Sequence, residues 1–271
     1  MNIFQILLLG FISGLTEFMP LSATGHQRLV MHLFGRTEMD PLCRAVLSIG
    51  MLCAVFTACS GQLRLLLAER SIEKRGAKFR LYGGRRYDYR LVKVAALPIS
   101  VIWVIGLFMQ IPVSLPWLAS SFLVSGTILF VVGNAPQGNK DSRRMTKLDS
   151  MFIGLVGCLS VIPGISLVGT IASAAILRGA QRQSALNWAL VICIPVLLAR
   201  IVTDLLLVLI VGTGLSFVGF LLCLCGALCA YIGGRISIRL VRFAVSRSGL
   251  SEFAYYVWGA AILTFILYLI T

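Results

Sequence analysis

The chain has 271 residues, 58% of them hydrophobic and 13% charged, with a mean hydropathy of +0.94. A soluble globular domain carries about 25% charged and about 45–50% apolar residues, so this composition excludes one. Apolar runs of membrane length recur from end to end, which makes residues 1–271 a single membrane domain. The net charge of +14 fits Lys and Arg in loops beside anionic headgroups, and no nucleic-acid surface is expected.

In chain order, the N-terminus resembles a signal peptide only in its apolarity. Met1 to Leu9 has no basic stretch, and Glu17, Pro20 and His26 interrupt the next apolar stretch. This region is therefore read as part of the mature fold. The apolar stretch 3–34 is broken near its middle by Pro, Gly and Ser. A first crossing is expected at 43–63, followed by a loop at 64–93 holding Arg64, Arg70, Lys74, Arg75, Lys78, Arg80, Arg85, Arg86, Arg90 and Lys93. Crossings at 94–110 and 115–133 come next, joined by the uncharged link 111–114. The 134–149 loop carries Lys140, Arg143, Arg144 and Lys147. A second broken stretch, 150–178, precedes crossings at 185–211, 217–236 and 254–270. Of the two remaining links, 212–216 is uncharged and 235–247 holds Arg235, Arg239, Arg242 and Arg247. Most of the eight cysteines (Cys53, Cys59, Cys158, Cys193, Cys223, Cys225 and Cys229) fall inside the apolar segments. Without zinc or disulfide spacing, the default expectation for them is small core residues.

The three basic loops belong in the cytoplasm by the positive-inside rule. Segment 3–34 then dips in from outside and returns, while 150–178 dips in from the cytoplasm and returns there. The expected fold is all-α and polytopic: six transmembrane helices plus two re-entrant broken-helix hairpins in an inverted-topology repeat. Half one is 1–133, the cytoplasmic loop 134–149, and half two 150–271, with both termini outside. The hairpins share local sequence. Gly14 to Pro20 and Gly157 to Pro163 each span six positions, and Ser-x-x-Gly follows as Ser22 to Gly25 and as Ser166 to Gly169. Paired broken segments in corresponding halves point to a site at the midplane.

Glu17 and His26 lie inside an apolar stretch on either side of a helix break. Intramembrane ionisable groups are costly and point to function, the bland alternative being that they pair with each other or cap a half-helix. Ser22, Thr24 and the freed N–H groups after the break could cradle an anion. The stretch GLTEFMPLSATGH, Gly14 to His26, resembles the first signature of the undecaprenyl-diphosphate phosphatase (bacitracin-resistance) family, E-G-x-x-E-F-x-P-x-S-S-x-G-H. PGISLVG, Pro163 to Gly169, resembles its second, P-G-x-S-R-S-G.

The resemblance covers essentially the whole chain. It implies a metal-assisted hydrolase of the bacterial plasma membrane that removes the terminal phosphate of undecaprenyl diphosphate and recycles the lipid carrier of cell-wall synthesis. By position it assigns catalytic roles to Glu17, His26 and Ser22, with Glu17 the metal ligand for Mg2+ or Ca2+. Thr24, Gly25, Ser166 and Gly169 would contact substrate. The chain departs from the pattern at Ser13, Ala23, Leu167 and Val168, where the family has glutamate, serine, arginine and serine.

Hydrolysis needs cations on the transferred phosphoryl group and a carboxylate for a metal or nucleophile. Arg200 and Arg44 are the candidate replacements, with Arg28 beside the first motif. Arg200 and Asp204, at i,i+4, are placed for an ion pair. Three readings remain: a polyprenyl-diphosphate phosphatase, a non-catalytic binder or flippase of a lipid phosphate on the same fold, and a structural membrane partner. The expected partners are a polyprenyl phosphate or diphosphate and the membrane, with a homodimer left open.

Overall fold

The computed structural model describes residues 1–36, 38–74, 89–106, 114–136, 138–141, 144–247 and 249–271, the backbone alone at 69–74 and 89. Among the described residues the secondary structure is helical, apart from one isolated bridge between Lys140 and Ala180. Eleven α-helices are described: α1 Ile3–Phe18, α2 Ala23–Leu33, α3 Pro41–Ala58, α4 Ser60–Lys74, α5 Tyr89–Ile105, α6 Leu115–Gly133, α7 Lys147–Gly157, α8 Leu167–Leu177, α9 Arg182–Val211, α10 Phe217–Arg247 and α11 Ser251–Ile270. Five of these, α3, α6, α9, α10 and α11, are long and apolar enough to cross a bilayer. The chain is a multi-pass membrane protein.

These five coincide with five of the six expected crossings. The sixth, 94–110, corresponds to α5, which has 17 residues; positions 107–110 lie outside the described residues. Arg75, Lys78, Arg80, Arg85, Arg86, Arg143 and the link residues 111–113 also lie outside them. Two boundaries differ from expectation. The basic stretch after 43–63 begins as helix α4, and Arg235 to Arg247 continue α10 rather than forming a loop. Lys and Arg are good helix formers, and no proline interrupts either stretch, so the backbone stays helical beyond the apolar span.

Both apolar stretches with internal Pro and Gly are broken helices. The first runs as α1, a break at Met19 to Ser22, and α2. The second runs as α7, a 3-10 turn at Cys158–Val161, a further break to Ser166, and α8. Each opens on a capping box: Asn2 with Gln5 in α1, and Thr146 with Asp149 in α7. Asp149 also joins the hairpin's two ends, accepting from Arg178 Nε at 2.6 Å and Lys140 Nζ at 3.1 Å. Burial pushes its carboxyl up, but the Thr146 N–H, the Arg178 guanidinium and the Lys140 ammonium outweigh that and hold it at about 2.

Lipid offers no hydrophobic drive between helices, so close packing of small residues has to join them. An added Cβ at Gly10 or Gly14 of α1 would collide with the carbonyl oxygens of Gly226 or Ala230 of α10, and one at Gly50 of α3 with that of Ala227. These stripes seat α1 and α3 on α10. The helix pairs are reciprocal. The first hairpin's α1 packs on α10 and the second's α7 on α5; α3 packs on α10 and α9 on α5; α3 meets α9, and α6 meets α11. The two breaks thus lie among packed helices and meet each other through the Ser22 hydroxyl and the Gly164 N–H.

Candidate active site

The break after α1 ends in Ser22, whose φ of +67° makes it the one non-glycine residue with positive φ among those described. Holding an L side chain in that region costs about 1–3 kcal/mol and persists only where the surroundings over-determine it. Here they do so through the hydroxyl. Ser22 Oγ accepts the Gly25 N–H at 3.3 Å, capping α2, and the Gly164 N–H of the other break at 3.2 Å. Thr24 Oγ1 stands 3.4 Å from the same oxygen. A Cβ on Gly25 would press on Phe122 and on the Gly164 backbone, so only glycine lets the two breaks approach this closely.

Ser166 is the counterpart in the second hairpin. It caps α8 by accepting the Gly169 N–H at 3.0 Å, and its own N–H donates to Ser125 Oγ of α6 at 3.4 Å. Its φ of −78° is relaxed. The strain at this break sits instead on Gly164, at φ +100°, where glycine accommodates it. Gly169 packs toward Pro20 of the first break. The paired Ser-x-x-Gly segments are therefore two half-helix N-termini placed against each other.

His26, one turn into α2, is buried. Its Nδ1 lies 2.9 Å from the Ser22 carbonyl and its Nε2 3.1 Å from the Tyr256 hydroxyl of α11. A carbonyl can only accept, so Nδ1 carries a proton, and in the neutral ring Nε2 then presents the lone pair. Phe122 meets the ring edge-on and Tyr256 stacks on it. Sequence reasoning missed Tyr256, which is 230 residues away in the chain.

Glu17 and His26 do not pair with each other. Glu17 Oε1 instead accepts from Arg200 Nη1 of α9 at 2.7 Å, both side chains being buried. This corrects the expected i,i+4 pair. Asp204 is held by Arg44 of α3 at 2.8 Å, and Arg28 contacts Glu38 at 3.3 Å. The reason is geometric: Arg200 faces the break in α1, while Asp204, one turn further along α9, faces α3. Arg44 is thereby committed to a link between α3 and α9. Glu17 Oε2 has no hydrogen-bond partner among the described residues. Where the family signature has its first glutamate, Ser13 donates to the Leu9 carbonyl and accepts from Gln27 Nε2, a small polar knot tying α1 to α2. Leu167 and Val168 are buried in apolar packing at the start of α8.

No group of three His, Cys, Asp or Glu side chains able to hold a metal ion occurs among the described residues. One carboxylate oxygen, Glu17 Oε2, is buried and unsatisfied. That donor set fits magnesium only in its usual mode, one or two carboxylates with substrate phosphates and water completing the shell.

The family model described as bacitracin resistance protein BacA matches residues 6–263. The chain is 29% identical over 274 residues to the undecaprenyl-diphosphatase of Alkaliphilus metalliredigens, covering 98% of this chain and 99% of that protein. It is 30% identical over 269 residues to undecaprenyl-diphosphatase 3 of Bacillus cereus, covering 98% of each. The undecaprenyl-diphosphatase of Carboxydothermus hydrogenoformans is 27% identical over 263 residues, 95% of this chain and 94% of its own.

Proposed function

The chain belongs to the bacitracin resistance protein BacA family, and from that membership we propose that it is a membrane undecaprenyl-diphosphate phosphatase, acting on the lipid carrier of cell-wall synthesis in a bacterial plasma membrane. The relatives' names support the substrate class. The two halves, 1–133 and 150–271, form an inverted repeat with both termini outside, a reading supported by the reciprocal helix pairs and the basic residues of the 134–149 loop.

The observation that carries the phosphatase reading is the buried ionisable set at the first break, the Arg200–Glu17 pair together with His26 on the Ser22 carbonyl. The pair brings a guanidinium to the first break, which the substitution at Leu167 would otherwise leave without one. In the proposed chemistry the Gly25 and Gly164 N–H groups stabilise negative charge on Ser22 Oγ or on a phosphoryl oxygen beside it. His26, oriented by its Nδ1–H on the Ser22 carbonyl and by Tyr256, takes at Nε2 the proton of the water that attacks the terminal phosphorus and returns it as the P–O–P bond breaks, leaving the lipid monophosphate and inorganic phosphate. Thr24, Ser166 and Gly169 line the same junction as substrate contacts. Mg2+ or Ca2+ would bind through Glu17 Oε2 and substrate phosphates, and would supply charge neutralisation there.

The test is phosphate release from undecaprenyl diphosphate by detergent-purified protein, with and without each divalent ion, beside Glu17→Gln and His26→Ala. Turnover in the wild type and its loss in both variants is expected. The opposite result, no wild-type turnover where the Alkaliphilus relative is active, would sink the proposal. It would favour the second reading, a lipid-phosphate binder or transporter, for which the substitutions at Ser13, Ala23, Leu167 and Val168 speak.

A further inference from the structure

We propose that Trp103 of α5 and Arg200 of α9 together form the phosphate-binding subsite of this chain, in place of the guanidinium that position 167 lacks. The inference rests on the phosphatase reading and deepens it by naming the group that receives the phosphate. Leu167 is buried and apolar at the head of α8 and offers an oxyanion nothing. Arg200 enters from a different helix. Its guanidinium carbon lies over the Trp103 ring, 4.8 Å from the centroid, while Nη1 is fixed on Glu17. The ring contact and the Glu17 bond hold the head group in place, and the fork has further N–H donors to offer.

Buried polar atoms almost always find partners, and one left without is costly. Two such donors belong to this face of α5. Trp103 Nε1 and Ser100 Oγ, one turn apart, have no hydrogen-bond partner among the described residues, and Glu17 Oε2, on the carboxylate that Arg200 holds, is an orphan acceptor. An indole N–H cannot accept, so it excludes a cation as its partner. A fixed fork, an indole N–H and a hydroxyl beside a single carboxylate oxygen match the oxygens of a phosphoryl group, with the carboxylate receiving a P–OH or a bound divalent ion. An apolar ligand would leave these donors unsatisfied.

The experiment measures turnover of undecaprenyl diphosphate, and separately the quenching of tryptophan fluorescence by undecaprenyl phosphate, which has no scissile diphosphate. Trp103→Phe keeps the aromatic face and loses the N–H; it should raise KM about tenfold with a smaller change in kcat, and lose the quench. Arg200→Lys keeps a positive charge for Glu17 but not the planar fork, and should weaken both readouts about tenfold or more. Arg200→Ala should fall to background, and Arg200→Ala with Leu167→Arg should recover turnover to within about tenfold of wild type. Unchanged KM and quench in Trp103→Phe would overturn the inference, and so would an active Arg200→Ala. Should Arg200→Ala fail to fold, the two conservative variants decide. A wild type without turnover sinks the phosphatase reading alone. The subsite is then judged on quenching: its loss in Trp103→Phe and Arg200→Lys supports it, and its persistence in both refutes it.

Discussion

The two helix breaks are built on one plan and loaded differently. Each ends in a serine whose hydroxyl caps the following half-helix through the glycine three residues on. In the second break the strain falls on Gly164, and the serine is relaxed. In the first break the serine itself is strained, its oxygen receives an N–H from each hairpin, and the ionisable residues Glu17 and His26 flank it. At the position four residues after each serine, the first hairpin has His26 and the second Thr170, whose hydroxyl merely returns to the Ser166 carbonyl at 2.8 Å. Both breaks build the junction, where the second contributes the Gly164 N–H to Ser22, and on the proposed reading the acid and base groups belong to the first.

The largest effect that could break this contrast is on rate. His26→Ala should lower the rate of phosphate release by about 10²–10⁴-fold, as expected of a proton-transfer group. Thr170→Ala should leave it within about twofold, because no reacting group depends on it. Equal losses would mean that the two hairpins share the chemistry.

Next comes stability. Removing one partner of a buried ion pair costs about 3–5 kcal/mol, so Glu17→Ala and Arg200→Ala should each lower the unfolding midpoint in detergent strongly. The double variant should be less destabilised than the sum of the singles. Additivity would mean that the pair is not coupled in solution.

A smaller contrast lies in the serines. Ser166→Ala removes a helix cap worth about 1 kcal/mol. Ser22→Ala removes a cap and a second buried acceptor for the Gly164 N–H, for a total of about 2–3 kcal/mol, and leaves alanine at a positive φ. Denaturation of the two variants side by side should rank them in that order, and the reverse ranking would remove the special standing of the first break.

The smallest effect concerns the hairpin entrances. The first is capped by neutral Asn2 and Gln5, the second by Asp149, whose carboxyl is held at about 2 against an ordinary 3.8. A depressed carboxylate stabilises the fold above its unfolded value, and that contribution is lost as pH falls through the folded one. The midpoint difference between wild type and Asp149→Asn should therefore be constant above about pH 4 and shrink toward pH 2. Asn2→Ala should show no such pH dependence. A difference for Asp149→Asn that persists at pH 2 would show that shape, not charge, holds the second entrance.

Much of this molecule was written along the chain. Long apolar runs fix where helices cross, because lipid leaves no alternative for the backbone. Pro20, Pro163 and the glycines around them mark both breaks for the same reason, and the repeated Ser-x-x-Gly identifies their caps. The residues of the first motif were legible because charge inside an apolar stretch is rare. Helix ends in the basic stretches were less so, since composition says where a helix leaves the hydrocarbon but not where it stops. The tertiary structure alone decided the partners. Local spacing favoured Arg200 with Asp204, but the rotation of α9 turns them to different neighbours, giving Arg200 to Glu17 and Asp204 to Arg44. Tyr256 on His26 and Trp103 under Arg200 join residues far apart in sequence, and a one-dimensional pattern holds no signal for such contacts. What brings them together is the packing of small residues that seats α1 and α3 on α10 and sets the two breaks face to face.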